Sequence, residues 1–331
     1  MIKNQWYAVL ESKELKRNRL VGVTRLSQKL VFWRDGDGIG CIFDRCCHRG
    51  ASLGQGALVE NHVECPFHGF RYDSKGRVTM IPANGKGAKV PERFKVDSFP
   101  AREAYGFIWV WYGDCKDELP EIQFFEELKT GYASGGFSEV WDVHYTRAIE
   151  NQLDVVHLPF VHKTTIGKGG KTLVNGPVVK WDDNLMTFYV KNEQDHGQIP
   201  QRPGEVEDYR KLFHLQLLMP NVWQNVISDR FRIVAVFAPI DEGSTRIYIH
   251  IYQNFLKAPL LSRAVSLIGS LGNRIVLHQD RRVVLGQLPI RSELRMDENL
   301  IQGDLPIIEY RKKREALKKA ATSNQGDGAN D

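Results

Sequence analysis

The sequence predicts an α+β protein with an N-terminal all-β domain and a larger domain of antiparallel strands and helices. Up to about residue 115, short β-type runs such as KLVFW alternate with turn residues such as DGDG. Residues 116–130 are charged, contain proline and indicate a connection, and helical stretches flank long strand-like runs beyond it. We place the domains at 1–118 and 119–312, followed by a basic helix end and a disordered polar tail at 313–331.

Composition excludes several classes of protein. The 331 residues include 45 basic and 40 acidic side chains, and this balance indicates a soluble protein that does not bind nucleic acid. The stretch AVSLIGSLGN is too short to span a bilayer, so we expect no membrane span. Five cysteines do not make a disulfide framework in a chain of this length, and the N-terminus lacks a secretory signal. We therefore expect a cytoplasmic protein.

The second domain is predicted to contain two helices around a set of strands. We expect helices over about 144–157 and 260–287, and strands at NLMTFYVKN, FHLQLLMP, FRIVAVFAP and TRIYIHIYQNF. A loop rich in glycine and lysine, TTIGKGGKT, follows the first helix. Four apolar or aromatic residues on the strands are candidates for a pocket lining, with plain core packing as the alternative: Leu215, Leu217, Trp223 and Phe231.

Two Cys/His pairs in the first domain have the spacing of metal ligands. They are Cys46-x-His48 and Cys65-x-x-His68, and glycines beside them supply tight turns. A zinc finger usually pairs Cys with Cys and His with His. One of each in both loops favours a Rieske [2Fe–2S] centre, in which two thiolates hold one iron and two imidazoles the other. A structural zinc site is the alternative.

The stretch ENQLDVVHLPFVH suggests a second metal site. On an unbroken helix His162 would point away from His157, but Pro159 should kink or end the helix and could bring the two imidazoles together. Two histidines and one carboxylate form the facial triad of non-haem ferrous enzymes. The carboxylate candidates are Asp154, three residues before His157, and Asp280, which lies in a helix predicted to pack on the core.

The motifs CCHRG…CPFHGFRYD, ENQLDVVHLPFVH and HQDRRVVLGQ, with the run YGFIWVWYGD, resemble those of Rieske non-haem iron oxygenase α subunits over nearly the whole chain. The resemblance implies a helix-grip catalytic domain, a curved antiparallel sheet closed by a long helix. It assigns Cys46, His48, Cys65 and His68 to the cluster, and His157, His162 and Asp280 to mononuclear Fe(II). The short single chain resembles the branch of O- and N-demethylases and other monooxygenases, which are commonly homotrimers of α subunits.

The resemblance also implies roles for two further polar residues. Asp154 matches the acid that links a cluster histidine of one subunit, here His68, to an iron-bound histidine of the next, here His157. Asn151 matches a polar position near the iron. The chain departs from the family pattern at Cys47, where proline is usual, and at Gln279, where an acid is common.

The implied function is that of a terminal oxygenase, which uses O2 to hydroxylate or oxidatively demethylate a hydrophobic, possibly aromatic small molecule. The stretch GDGIG lacks the spacing of a dinucleotide fingerprint, so electrons from NAD(P)H must come through a separate flavin-containing reductase, a ferredoxin, or both. Basic residues outnumber acidic ones between 41 and 90 and could steer such a partner. The alternatives are a ring-dihydroxylating dioxygenase and, in a different class, a Rieske electron-transfer protein without oxygenase activity.

Overall fold

The computed structural model describes residues 1–36, 38–114, 118–255 and 259–323, without the side chains of 259–268 and 270. The chain separates into two compact units. The first contains residue 1, Lys3–Ile122 and Ala238–Asp241, and the second contains residue 2, Gln123–Phe237 and the chain from Glu242 onward. The first unit consists mainly of strands, and the second contains a large antiparallel sheet with helices. This arrangement confirms the predicted α+β class.

Short antiparallel strands form three small sheets in the first unit. In chain order they are β1 (Gln5–Glu11), β2 (Val21–Arg25), β3 (Gln28–Asp35), β4 (Gly38–Phe43), β5 (Ala57–Val59), β6 (His62–Glu64), β7 (Arg71–Tyr72), β8 (Val78–Met80), β9 (Ala101–Ala104) and β10 (Phe107–Tyr112). The sheets have the orders β1-β10-β9, β2-β3-β4 and β5-β6-β7-β8. Cys46 and Cys65 belong to a buried cluster with Trp33 and Tyr72, so the loops that carry them are anchored in an apolar core.

A seven-stranded antiparallel sheet forms the centre of the second unit, with the order β11-β17-β16-β15-β14-β13-β12. Its strands are β11 (Ala133–Trp141), β12 (Leu173–Asp182), β13 (Leu185–Glu193), β14 (Phe213–Leu218), β15 (Val222–Ser228), β16 (Phe231–Pro239) and β17 (Thr245–Gln253). Four of these match the predicted runs. Strands β11, β12 and β15 were not expected, because glycine, proline or polar residues interrupt their apolar pattern.

Four helices accompany this sheet: α1 (Tyr145–Leu153), α2 (Leu158–Val161), α3 (Pro259–Val284) and α4 (Leu305–Ser323). Helix α3 packs against β11 and β17. Helix α4 holds α1 through Arg311, whose guanidinium donates to both carboxylate oxygens of Glu150 at 2.7 and 3.0 Å in a buried pair. None of the helices in the described chain is long and apolar enough to cross a membrane.

The first helix ends earlier than the sequence predicts. We expected a helix over 144–157 with a break at Pro159, but α1 ends at Leu153 and Asp154 is extended (φ −75°, ψ 119°). The Asp154 carboxylate accepts hydrogen bonds from the backbone N–H of Val156 and His157 at 2.7 and 3.1 Å, so its side chain competes with the helix for these donors. Pro159 lies in the first turn of α2, where its missing N–H costs nothing.

Candidate cluster and metal sites

Two loops of the first unit repeat the same turn. In each, a cysteine N–H donates to the carbonyl five residues later, Cys46 to Ala51 and Cys65 to Phe70, both at 2.8 Å. The glycine four residues after each cysteine, Gly50 or Gly69, donates back to the cysteine carbonyl. Both glycines have positive φ, 76° and 71°, which other residues rarely adopt. The glycines in CCHRG and CPFHG therefore set the shape of the loops.

The four predicted cluster residues come together at the tips of these loops. Cys46 and Cys65 are buried, whereas His48 and His68 are exposed. The Nδ1 atoms of His48 and His68 face each other at 3.2 Å. Two nitrogens bound to one tetrahedral metal ion lie roughly 3.3 Å apart. The loops thus present a buried thiol pair and an exposed imidazole pair, the donor set that fits a Rieske cluster.

Tyr72 is a functional candidate that the sequence motifs did not single out. Its hydroxyl lies 3.0 Å from the Cys46 sulfur and 3.3 Å from the Cys47 sulfur, and it accepts the N–H of Cys47 at 3.1 Å. Burial, followed by hydrogen bonds to the two cysteines, raises the Tyr72 pKa above its usual value. The hydroxyl therefore keeps its proton and can donate it to a thiolate at Cys46. Its position in FRYD, directly after CPFHG, is the signal that could have found it.

In the second unit His157, His162 and Asp280 meet at one point. The Nε2 atoms of the two histidines are 3.2 Å apart, and they lie 3.4 and 2.9 Å from Asp280 Oδ1. Three ligand atoms on one face of an octahedral ion are about 3.0 Å apart when each metal–ligand bond is about 2.1 Å. The three side chains form a group able to hold a metal ion, with His162 and Asp280 buried. Between the two carboxylate candidates, the geometry favours Asp280 for the third position.

The charges around His157 have a measurable consequence for its protonation. Burial by itself lowers the His157 pKa, but hydrogen bonds and charges from Asp154 and Asp280 outweigh burial and raise the pKa to about 9. Burial raises the pKa of Asp280, but hydrogen bonds to His157 and His162 outweigh it and hold the pKa below its usual range. A buried carboxylate, Asp280, and a half-buried one, Asp154, next to two imidazoles are suited to a cation at this point.

Each histidine is oriented by a partner on the ring nitrogen that faces away from the common point. Asp154 Oδ1 lies 3.6 Å from His157 Nδ1. His162 Nδ1 donates to Gln279 Oε1 at 2.8 Å, and the Thr165 hydroxyl donates to the same oxygen at 2.8 Å. Because this arrangement puts the proton on Nδ1, the lone pair of His162 Nε2 is free for a metal.

Gln279 is therefore the second residue that sequence reasoning missed. Its Nε2 donates to Thr164 Oγ1 at 3.3 Å, which fixes the direction of the amide. In the sequence Gln279 stands out only as a departure from an acidic position. Its distance of 117 residues from His162 hides the contact from any local pattern.

A cavity of about 430 Å³ adjoins the three-residue face, since His157, His162 and Asp280 contribute to its lining. The remaining walls are mostly apolar, and the predicted pocket residues Leu215 and Trp223 are among them, whereas Leu217 and Phe231 are not. Asn151 also lines the cavity, and its Nδ2 is buried without a hydrogen-bond partner in the described chain. A space of this size fits a small organic molecule.

The face of β15 that lines the cavity contributes two polar groups to a mostly apolar wall. Trp223, Asn225 and Ile227 alternate along the strand and all line the cavity, as expected for side chains of period two. Asn225 pairs in register with two apolar lining residues, Leu215 on β14 and Ile233 on β16. Trp223 Nε1 and Asn225 Oδ1 are buried and have no partner among the described residues, so both can recognise a polar group on a ligand.

Known protein families match both units. The Rieske [2Fe-2S] domain matches residues 5–100, and the vanillate O-demethylase oxygenase C-terminal domain matches residues 141–320. Chlorophyllide a oxygenase of Chlamydomonas reinhardtii is 34% identical over 295 residues, which cover 86% of this chain and 43% of that protein. The oxygenase component of dicamba O-demethylase from Stenotrophomonas maltophilia is 34% identical over 166 residues, 49% of this chain and 48% of that protein.

Solved structures agree with these matches. The structure of Pseudomonas putida CBB5 NdmA with caffeine superposes with a TM-score of 0.76 at 25% identity, covering 96% of this chain and 91% of that one. The chain spans about half or less of the length of the curated relatives it matches. A family model covers more than half of the chain, and the match to the Rieske domain and the fold agree with it. The chain therefore belongs to the Rieske non-haem iron oxygenases, a family whose members hold a [2Fe–2S] cluster and a mononuclear iron.

Proposed function

We propose that the chain is the terminal oxygenase component of a Rieske-type system. It uses O2 and electrons from a separate reductase to hydroxylate or oxidatively demethylate a hydrophobic, aromatic small molecule. The observation that carries this proposal is the face of His157, His162 and Asp280 on the wall of a mostly apolar cavity. An iron ion bound there supplies oxygen activation next to the bound substrate.

The residue assignments are part of the proposal. Cys46, His48, Cys65 and His68 hold the cluster, and His157, His162 and Asp280 hold the mononuclear iron. The facing Nδ1 atoms of one set and the three-atom face of the other support them. Asp154 links His68 of a neighbouring subunit in a homotrimer to His157 and so bridges the path of electrons between the two metal sites, a role supported by its position beside His157 Nδ1.

The chain's own residues bind and orient the substrate. The apolar walls exclude water from the reacting carbon. At the polar edge of the molecule, Trp223 Nε1 donates one hydrogen bond to the substrate and Asn225 Oδ1 accepts another from it. Asp154 holds His157 in position, and Gln279 keeps the proton of His162 on Nδ1. Asn151 places an unpartnered amide N–H in the cavity near the same face.

The relatives support an aromatic or heteroaromatic substrate class. One is named for O-demethylation of dicamba, another for oxidation of chlorophyllide a, and NdmA was solved with caffeine. The reductase is flavin-containing, with or without a ferredoxin, and draws on NAD(P)H. We propose a cytoplasmic location, supported by the free thiols of Cys41, Cys46, Cys47 and Cys65, although the chlorophyllide relative is a chloroplast protein.

The two alternatives differ in what they require. A ring-dihydroxylating dioxygenase would use the same ligands, so only its products distinguish it. An electron-transfer protein without oxygenase activity needs no second metal. The three-residue face beside a cavity argues against it, because a carrier has no use for a buried acid that converges with two histidines.

Product analysis under labelled dioxygen tests the function. The iron-loaded protein, a Rieske-system reductase and NADH would be incubated with methoxylated, N-methylated and unsubstituted aromatic compounds. We expect one labelled oxygen in a product, or formaldehyde from a lost methyl group. Two labelled oxygens in one product would instead establish dihydroxylation. Normal cluster reduction with no substrate-dependent oxygen consumption, in protein shown to hold mononuclear iron, would contradict oxygenase function.

A further inference from the structure

A second space adjoins the substrate cavity and differs from it in charge. It measures about 330 Å³ and shares four apolar lining residues with the first cavity, namely Leu158, Ile166, Val190 and Phe213. Ile166 and Phe213 are 61% and 45% exposed, so the shared wall reaches the protein surface. The second space, called the outer space below, therefore borders the substrate cavity along an apolar wall that reaches solvent.

Three lysines line this outer space, and no acid does. They are Lys168, Lys171 and Lys191. Lys191 is paired with Glu193, its Nζ 3.0 Å from Oε1. Lys168 and Lys171 are exposed and have no carboxylate within ion-pair distance in the described chain. Among the described residues, the inner cavity is instead lined by two acids and no lysine. These acids, Asp154 and Asp280, both lie next to histidines.

The two unpaired lysines come from the glycine- and lysine-rich loop TTIGKGGKT, whose Thr164 and Thr165 contact Gln279 beside the metal face. From Val155 to Trp181 the chain contains four lysines and no acidic or arginine residue. The loop is fastened next to the metal ligand, because Thr165 and Gly167 N–H both donate to the His162 carbonyl. A Cβ on Gly167 would come within 1.9 Å of the Leu158 carbonyl oxygen, so only glycine allows this close approach.

A further contact fixes the other side of the loop. Gln194 Nε2, beyond the end of β13, donates to the Gly169 carbonyl at 3.1 Å. Lys168 therefore lies between two anchored residues, Gly167 and Gly169, at the outer end of the substrate site. Backbone contacts that hold a cationic loop at a cavity opening give the cation a defined place relative to the metal face.

We propose that the outer space binds an anionic group of the substrate, so that the natural substrate is an aromatic compound that carries a carboxylate or sulfonate away from the oxidised carbon. Lys168 and Lys171 contact the anion, with a smaller contribution from Lys191. The apolar body fills the inner cavity. This inference rests on the proposed function, because it names the class of substrate for the same site.

A matched pair of ligands tests the charge preference without turnover. The probes are 6-methoxy-2-naphthoate and its neutral analogue 6-methoxy-2-naphthamide, titrated calorimetrically into the iron-loaded full chain under nitrogen. We expect the carboxylate to bind about fivefold more tightly, since each exposed ionic contact contributes a few tenths to 1 kcal/mol. The preference should shrink as salt rises from 0.05 to about 0.5 M, while binding of the amide stays constant.

A charge-matched pair of variants locates the effect. Lys168→Gln combined with Lys171→Gln should remove most of the preference for the carboxylate and leave the affinity of the amide unchanged. The control, Lys180→Gln with Lys211→Gln, removes the same net charge from exposed lysines outside both cavities and should retain the preference. Equal affinities of the two probes for the unmodified chain, or equal behaviour of the two double variants, would overturn the proposal.

Formaldehyde release from the same methoxy compounds separates this inference from the proposed function. Selective binding of the carboxylate without release of formaldehyde or oxygen consumption would support the anion site and count against oxygenase function. Formaldehyde from both compounds with equal affinities would support the function and overturn the anion site.

Discussion

The two candidate metal sites are built in different ways. In the first unit the four ligands come from two loops close in sequence, and each loop is shaped by its own backbone hydrogen bonds and one glycine. In the second unit the ligands come from a broken helix and from α3, more than a hundred residues later, and side chains orient them. The cluster histidines are exposed, whereas His162 and Asp280 are 1% and 3% exposed.

This difference indicates which substitutions should disrupt each site. A site shaped by backbone turns depends on its glycines and tolerates many neighbouring side-chain changes. A site whose ligands are held by Asp154 and Gln279 depends on individual side chains, and the loss of one leaves a buried polar atom without a partner. The following predictions test this contrast, from the largest expected effect to the smallest.

Asp280→Ala should empty the mononuclear site and leave the cluster intact. It removes the one carboxylate that contacts both imidazoles, so we expect metal affinity to fall by more than about a hundredfold, beyond the loss seen for outer partners. Iron analysis and the visible absorption of the cluster measure the two sites separately. Asp182→Ala, at the exposed end of β12, is the control. Retention of the mononuclear iron in Asp280→Ala would show that another acid serves as ligand.

Asp154→Asn should retain both metals and lose most turnover. Asparagine keeps the oxygen that accepts the N–H groups of Val156 and His157, so the turn persists while the charge is lost. We expect product formation to fall roughly 10- to 100-fold, as for other outer partners of metal ligands. Single-turnover oxidation of the reduced cluster by O2 and substrate would show whether the loss lies in electron transfer. Unchanged turnover would remove Asp154 from the electron path.

Gln279→Leu should weaken metal binding about tenfold without an effect on the cluster, because the His162 Nδ1–H and the Thr165 hydroxyl lose their acceptor. Gln279→Glu restores an acceptor and adds a negative charge, so its affinity should equal or exceed that of the unmodified chain. Anaerobic Co²⁺ titration of the cluster-loaded protein measures both variants. If the Gln279→Leu and Gln279→Glu variants lose Co²⁺ affinity equally, the amide of Gln279 contributes to packing and does not orient His162.

Tyr72→Phe should change the cluster only slightly and leave the mononuclear site unchanged. One hydrogen bond to a ligand sulfur contributes about 1 kcal/mol, which corresponds to about 40 mV for a one-electron couple. We expect the reduction potential to fall by this amount, since the bond stabilises the more negative reduced state. Protein-film voltammetry of the two proteins would measure it. An unchanged potential would show that the tyrosine hydroxyl serves only the backbone of Cys47.

Local motifs were enough to predict which four residues meet in the first site, because all of them lie in two short segments. The Cys-x-His and Cys-x-x-His spacings, with their glycines, are readable without knowledge of the fold. The expectation that the helix breaks at Pro159 was wrong, because α1 ends at Leu153 and Pro159 lies in the first turn of α2. The Asp154 carboxylate accepts the backbone N–H groups of Val156 and His157, so α1 ends at Leu153, and helix propensity carries no information about that competition.

Two polar residues of the second site, Gln279 and Asn225, could not be given a role from the sequence. Gln279 meets His162 only because α3 packs beside α2, and Asn225 faces the cavity only in the register that pairs it with Leu215 and Ile233. Both residues are polar at positions where a local pattern shows nothing unusual. Sequence patterns named the candidate ligands, whereas tertiary packing determines what holds them and what surrounds them.

The origin of the cavity walls has a consequence for how this protein can change. The metal face is supplied by α2 and α3, while most of the apolar wall is supplied by strands β13 to β17. Substitutions at Asn225, Ile233 or Phe213 can therefore alter which molecule is accepted without moving a ligand atom. Such a separation lets new substrate ranges arise by a few changes in the sheet while oxygen chemistry is inherited intact, and it marks these strand positions as the ones to randomise in directed evolution.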